Sequence, residues 1–484
     1  MENPRTTLPL SCTYSRLPSV FYALQEPEKA PSPQLFLFNI GLAKDLGLQE
    51  APEYYTPYLS GNEPVEGVSP LAQAYAGHQF GHFTLLGDGR ALLLGEIERP
   101  EGERFDLQLK GAGQTPYSRR GDGKATLKAM LREYVISEAL WRLEIPSTRS
   151  LAVVVTGSPV FRERTEYGAI LSRIASSHLR VGTFEYARYF TSPSDLSALL
   201  DYAIKRHYPS LLGHENPALA FLNAVAEKQI RLVVEWERVG FIHGVMNTDN
   251  TTISGESIDF GPCAFMNQYD PLTVFSSIDT EGRYAFGKQG EIILWNLSVF
   301  AGSLLPLIHK KEGIALELVR DALENAQKKL MAFQQKMRAN KLGFEAPCSA
   351  SSALSNRFLN LLQVHGLDYT NSYAALCFDA FDSEEILFLP AFDAWRKDWE
   401  SLLSQKGIDK AEALEIMQAH NPSVIPRNET LEEALQTAAD GKGASGILSI
   451  LDALKTPYQN PSEKTALHHP PTKDAVAFKT YCGT

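Results

Sequence analysis

The sequence predicts an α+β protein: a small sheet-rich part, then a large helical part, with a cleft between them. Three observations carry that prediction. Between about residues 80 and 175 the apolar runs are short and alternating, the period-two signature of strands. From Leu196 to about residue 455 apolar residues recur at helical spacing, with polar connectors. One short interruption, Phe241 to Phe265, breaks the helical stretch with polar, Gly-bearing sequence. Strands and helices segregated along the chain in this way form α+β layers, and ligands settle between them.

The elements follow in order. The first stretch is Pro-bearing (Pro27, Pro31, Pro33), with a helical pattern from Leu35 to Leu48. Phe83–Leu86 and Ala91–Ile97 flank the turn Gly87-Asp88-Gly89-Arg90 and predict two strands around it. Phe105–Lys110 alternates strictly, which predicts a half-buried strand ending at a lysine. A Gly-rich cationic loop follows, then a helix on which Leu127, Met130, Leu131, Tyr134, Val135 and Glu138 share one face. Leu151–Thr156 and Ala169–Ile174 predict further strands. Leu219–Val239 predicts a long helix, and Thr251–Ile253 and Ser257–Phe260 two short strands either side of Gly255. After residue 285 helices dominate, Leu316–Met337 and Phe358–His365 most clearly. Asp440–Gly446 lacks the spacing of a phosphate-binding P-loop and predicts a plain loop.

Composition narrows the function. A chain of 484 residues is about three domain-sized units long. With 44% apolar and 21% charged residues it can bury a large core and is not disordered. A net charge of −11 argues against a general nucleic-acid binder, whose affinity comes from neutralising phosphates. Five cysteines are scattered without a CxxC pair, which excludes a local zinc knuckle and a disulfide scaffold. No apolar leader is visible near Met1. The uncharged run Ile292–Ile308 carries Asn296, Ser303 and Pro306 and predicts a buried helix, not a membrane span. A reducing, cytoplasmic setting without membrane or nucleic-acid partners is the expectation.

The chemistry concentrates at Ile242–Asn250 (IHGVMNTDN) and Ser257–Gly261 (SIDFG). In kinase-like phosphotransferases a loop H-R-D-x-x-x-x-N precedes D-F-G, and the asparagine and second aspartate hold metal ions. His243 and Asn250 keep that spacing and Asp259-Phe260-Gly261 follows, but Val245 occupies the position of the catalytic aspartate. Valine cannot accept a proton; Asp249 is the available carboxylate. Such a site also needs a strand lysine and a helix glutamate. Lys110 and Glu133 are the candidates, with Glu138 as a rival on the same helix. Gly87 and Gly89 open a glycine loop that departs from G-x-G-x-x-G, with Leu92 at the third position. Arg90, Lys110, Arg119, Arg120, Lys124, Arg173 and Arg180 form a cation set suited to a triphosphate. A solvated basic face suffices to explain Arg119, Arg120 and Lys124. His78 and His82 have zinc-like spacing, but Gln79 replaces the glutamate and Gly77 and Gly81 weaken a helix, so no metal is expected there.

Longer blocks carry a resemblance. AYAGHQFGHF (Ala74–Phe83), LGDGRALLLGE (Leu86–Glu96), QLKGAGQTPYSRRGDGKATLKAMLREYVISEAL (Gln108–Leu140), SRIASSHLRVGTFEY, GFIHGVMNTDN, IDFGPCAFM and NPSVIPRN (Asn421–Asn428) resemble the selenoprotein O family of pseudokinases over nearly the whole chain. The resemblance implies a protein-kinase-like bilobal fold with a helical C-terminal extension. The implied segments are an N-terminal extension (1–75), a sheet-rich lobe (76–190), a helical lobe (191–310) and the extension (311–484). It implies ATP bound in inverted orientation and AMP, not phosphate, passed to Ser, Thr or Tyr hydroxyls of proteins. Nucleotide contacts carry over to Gly87, Gly89, Arg90, Lys110, Asp122, Gly123, Arg173 and Arg180. Glu133 supports Lys110; Asp249 is the implied proton acceptor; Asn250 and Asp259 are the implied ligands of magnesium, with manganese as the alternative, and Asp259 also meets nucleotide. Cys482 stands in a CGT ending where some members carry selenocysteine. UTP as donor, γ-phosphate transfer with Asp249 as base, and a catalytically dead nucleotide scaffold are the alternatives.

Overall fold

The alternating run ending at Lys110 lies mid-sheet in the computed structural model, which describes residues 8–99, 101–471 and 478–480. The strands are β1 Leu10–Ser11, β2 Tyr22–Leu24, β3 Gln34–Phe38, β4 Leu71–Gln73, β5 Ala76–Gln79 and β6 His82–Leu85, then β7 Ala91–Glu98, β8 Arg104–Lys110, β9 Arg149–Phe161, β10 Thr165–Ala175, β11 Phe241–Ile242 and β12 Ala264–Phe265. Eight of them form one sheet in the order β2-β4-β7-β8-β10-β9-β3, with β1 also on β7. Every pairing in it is antiparallel. β5 and β6 form a separate hairpin, and β11 and β12 a short ladder.

The helices are α1 Ile40–Asp45, α2 Pro52–Leu59, α3 Leu127–Arg142, α4 Val181–Phe190, α5 Pro193–His207, α6 Pro217–Arg238 and α7 Gln289–Ile308, then α8 Glu312–Asn340, α9 Ser349–His365, α10 Tyr369–Ala374, α11 Pro390–Lys406, α12 Lys410–His420, α13 Asn428–Ala439 and α14 Ser445–Ala453. Both faces of the sheet are covered. Leu171 and Val153 pack with Met130, Leu131 and Val135 of α3 on one side. Leu107, Leu109, Leu92 and Val154 pack with Leu42 of α1 and Leu59 of α2 on the other. The strand expected to be half-buried is therefore buried on both faces from Asp106 to Lys110. Each fully buried leucine there contributes about 1.5–3 kcal/mol relative to exposure.

The long helix α6 starts at Asn216, whose side chain accepts from the Leu219 amide at 3.1 Å, with Pro217 at the first helical position. It ends at Arg238, and Gly240, at φ +73°, hands the chain to Phe241 and His243. Helices α7 and α8 pack along it. Phe286–Ile308 is long and apolar enough to cross a membrane by length and composition. In the fold it is a packed helix: Phe300, Ala301 and Leu304 meet Phe184 of α4 and Phe221 of α6 in one core.

Three further local expectations change. Leu35–Leu48 is not one helix: Gln34–Phe38 is drawn into the sheet by β9, and α1 begins only after Asn39, whose side chain accepts from Leu42 N. The strands flanking Gly87–Arg90 do not pair with each other, because β6 turns back on β5 while β7 joins the main sheet. Thr251–Ile253 and Ser257–Phe260 are not strands; each supplies a single bridge, Thr252 to Arg180 and Ser257 to Ser147. Helix α4, which follows Arg180 directly, has no counterpart in the sequence reading. Cys482 lies outside the described residues.

Candidate active site

The pleat of β8 puts Gln108 and Lys110 on one face, and antiparallel pairing sets Arg173 of β10 opposite Gln108. Helix α3, capped by Thr126, crosses that face and brings Glu133 down onto the lysine. Lys110 Nζ lies 2.5 Å from Glu133 Oε1 and 2.5 Å from Asp259 Oδ1. Arg173 Nη2 donates to Glu133 Oε2 and to Asp259 Oδ1, both at 2.7 Å. The rival Glu138 is engaged elsewhere, in a bidentate pair with Arg149 at 2.7 and 2.6 Å.

Two cations thus meet two carboxylates where water is scarce. Burial pushes Asp259 toward its neutral form, but Lys110, Arg173 and Arg180 outweigh burial and hold it well below the usual carboxylate range. Glu133 is lowered against burial by Lys110 and Arg173. Arg173 stays protonated because Asp259 and Glu133 offset its desolvation. Asp259 itself sits at φ +64°, a left-handed backbone uncommon for a non-glycine residue.

The segment after α6 supplies the opposite wall. His243 is buried in the core, its Nε2 2.8 Å from the Ile258 carbonyl, and ties the loop to the segment before Asp259. Asn250 Nδ2 donates to the Val245 carbonyl at 3.0 Å, and its amide oxygen accepts no hydrogen bond among the described residues. Asp249 is buried; burial lifts its carboxyl to about 6, with Arg180 and Gln79 pulling it down. Arg180 Nη1 donates to the Asp249 carbonyl at 3.0 Å and its guanidinium stacks 4.3 Å over the Tyr75 ring.

The glycine turn closes the third side. Gly87 has φ +150°, and a Cβ there would lie 2.3 Å from Cγ of Tyr117, so only glycine lets the loop pass under that ring. Thr115 Oγ1 donates to the Asp88 carbonyl at 2.6 Å and stitches the turn to the cationic loop. That loop closes on itself through Gly113 N to Gly123 O at 3.1 Å. Asp122 is held by Arg162, with Nη1 to Oδ2 at 2.8 Å and Nη2 to Oδ1 at 3.1 Å.

These walls enclose one cavity of about 810 Å³. Gly87, Gly89, Arg90, Lys110, Asp122, Gly123, Glu133, Arg173, Arg180, Asp249, Asn250 and Asp259 all line it. So do residues the sequence reading passed over, among them Tyr75, Gln79, Asp88, Gln108, Tyr117, Arg162 and Asn247. Gln108 carried a usable signal, since it is two residues from Lys110 on an alternating strand. Arg162 carried none; only the packing of the β9–β10 turn brings it to Asp122. Eight basic side chains line the cavity against five acidic ones, although the whole chain is acidic. Arg173 and Arg180 are 3% and 2% exposed, so they are no solvated face, whereas Arg119 and Arg120 are exposed at the rim. His78 has its own partner, Glu185 Oε1, 2.5 Å from its Nδ1.

A deep cleft lined by buried arginines and a lysine, with an asparagine and two aspartates on its far wall, defines an enzyme site for a phosphate-bearing substrate. Comparison with known proteins narrows the class. The family model for protein adenylyltransferase SelO matches residues 4–454, and the chain belongs to that family. A protein nucleotidyltransferase YdiU of Bacillus cereus is 47% identical over 486 residues, the full length of both chains. Its namesake in Bacillus cytotoxicus is 48% identical over 480 residues, 98% of this chain and 97% of the other. That of Bacillus thuringiensis is 47% identical over 478 residues, 98% of each. The chain is a nucleotidyltransferase.

Proposed function

We propose that this protein transfers AMP from ATP to Ser, Thr or Tyr hydroxyls of proteins, on a kinase-like two-lobed frame with ATP bound in inverted orientation. One observation carries the reading. At the position where γ-phosphate transfer needs an aspartate the cleft presents Val245, while Asp249, four residues on, lines the same cavity. The buried cations support it: Lys110, Arg173 and Arg180 sit deep, where a leaving pyrophosphate would need neutralising.

Asn250 and Asp259 are the residues to hold a divalent ion, and their donor set fits magnesium. Both offer hard oxygen, and a magnesium ion bridged by phosphates needs only one or two protein carboxylates. When bound, such an ion neutralises phosphate charge and makes pyrophosphate a better leaving group. The chain's own groups do the rest. Lys110 and the arginines fix the phosphates, and Glu133 fixes Lys110 and Arg173. Asp249 takes the proton of the acceptor hydroxyl, whose oxygen bonds to the α-phosphorus as the bond to the β-phosphate oxygen breaks.

Incubation with α-labelled and with γ-labelled ATP separates the readings. Label from α-ATP on protein, with pyrophosphate released, supports AMP transfer; label from γ-ATP alone makes the protein a kinase. The YdiU relatives are named only as nucleotidyltransferases, so α-labelled UTP belongs in the same assay, and a preference for it changes the donor base. Label from none of the three leaves only a nucleotide scaffold.

A further inference from the structure

The hairpin β5–β6 stands apart from the main sheet and touches the Thr248–Asn250 segment through Gly77, His78 and Gln79 of its first strand. On one face of β5 the His78 ring bonds Glu185 of α4 at 2.5 Å, while the His78 amide donates to Thr248 Oγ1 at 2.7 Å. At the hairpin tip the Phe80 amide donates to Asn247 Oδ1 at 3.0 Å, and Tyr284 Oη donates to the same oxygen at 2.6 Å. The strand is thus fastened to the Asn247–Asp249 segment at His78 and just past its end at Phe80.

Gly77 and Gln79 share the other face, two residues apart. Gln79 Nε2 donates to Asp249 Oδ2 at 3.2 Å, the one side-chain hydrogen bond this carboxylate receives among the described residues. Asp249 Oδ1 is buried with no partner and packs against Gly77. A Cβ on Gly77 would lie 2.6 Å from that oxygen and 2.9 Å from Asp249 Cβ. Gly77 has an ordinary negative φ, so its missing side chain serves the carboxylate and not the backbone.

We infer that Gly77 and Gln79 are positioning residues for the transfer reaction: one makes room for the Asp249 carboxylate and the other sets its rotation. This rests on Asp249 as the proton acceptor. A carboxylate free to turn away loses the near-attack geometry, and a misplacement of about 1 Å costs roughly a hundredfold in such reactions.

The test is a double-mutant cycle on the full chain. Initial rates of α-label transfer from ATP to the chain itself are measured for Gln79→Leu, Asp249→Ala and the double variant, with ATP affinity by calorimetry and thermal stability alongside. Gln79→Leu is expected to lower turnover about ten- to a hundredfold, leaving KM for ATP, ATP affinity and melting temperature unchanged. In the Asp249→Ala background the same change is expected to cost nothing further. Gly77→Ala is expected to reproduce the turnover loss by displacing the carboxylate. Equal losses from Gln79→Leu in both backgrounds, or no loss in the parent, overturn the positioning role and leave Asp249's role standing. Full labelling by Asp249→Ala overturns the base assignment, and this inference with it.

Discussion

Arg173 Nη2 reaches Asp259 Oδ1 at 2.7 Å, 86 residues along the chain, across the floor of the cleft. The same oxygen is 2.5 Å from Lys110 Nζ. In this arrangement the carboxylate proposed to hold a metal ion is already met by two cations, which a bound nucleotide with its ion would have to share.

Removal of that carboxylate should therefore separate metal from nucleotide. Asp259→Ala is expected to abolish the dependence of ATP binding on magnesium and to stop transfer. ATP affinity without magnesium should hold or improve, since a negative charge beside the phosphates is gone. Calorimetry with and without chelator reads this. Magnesium-dependent binding surviving in Asp259→Ala would place the ion elsewhere.

The buried arginines should bear on affinity. Arg173→Ala and Arg180→Ala each remove charge-assisted hydrogen bonds worth about 1.5–3 kcal/mol, or roughly ten- to a hundredfold in ATP affinity. Both variants should remain folded by circular dichroism. Unchanged ATP affinity and labelling in both would make these residues purely structural.

The catalytic loop offers a sharper contrast. Asp249→Ala should leave ATP binding intact and slow transfer about 10²–10⁴-fold, the usual worth of general-base help. Val245→Asp restores the kinase position and should still transfer no γ-label, because the α-phosphate faces the acceptor in the proposed orientation. Strong γ-labelling by Val245→Asp would sink that orientation.

Stability should respond to pH through a residue far from the chemistry. Glu237, at the end of α6, is buried, and among the described residues the Gln334 amide is the hydrogen-bond partner of both its oxygens, at 3.0 Å each. Burial lifts its carboxyl to about 7 from an ordinary 4.5. The folded state holds this proton more tightly than the unfolded chain. Its contribution is thus fully present below about pH 4.5 and is lost as pH rises through about 7. Glu237→Gln should remove that loss, making the variant more stable than the parent above neutrality by up to about 3 kcal/mol. At pH 4.5 the difference should vanish. Denaturant midpoints across this range check it; parallel curves for the two proteins would show that Glu237 is charged in the fold.

The alternation of FDLQLK and the helical stripe through Met130 and Val135 placed Lys110 and Glu133 on a strand and a helix from local pattern alone. The spacing of His243, Asn250 and Asp259 marked the opposite wall, since short-range loop geometry fixes how far apart such groups stand. These features repeat every two or 3.6 residues or sit within one loop, so a linear chain displays them. Other features were invisible for a matching reason. The partner of Glu138 depended on Arg149 across a turn, and the destination of Leu35–Phe38 depended on a free edge at β9. Local propensity yields to such long-range pairing. Gln79 looked like a failed zinc motif until the hairpin folded back and set its amide against Asp249, 170 residues later in the chain. Residue types and periods thus determined which groups could do the chemistry. Only the packing of distant segments decided which of them meet, because contact energy depends on distance in space and carries no mark of distance along the sequence.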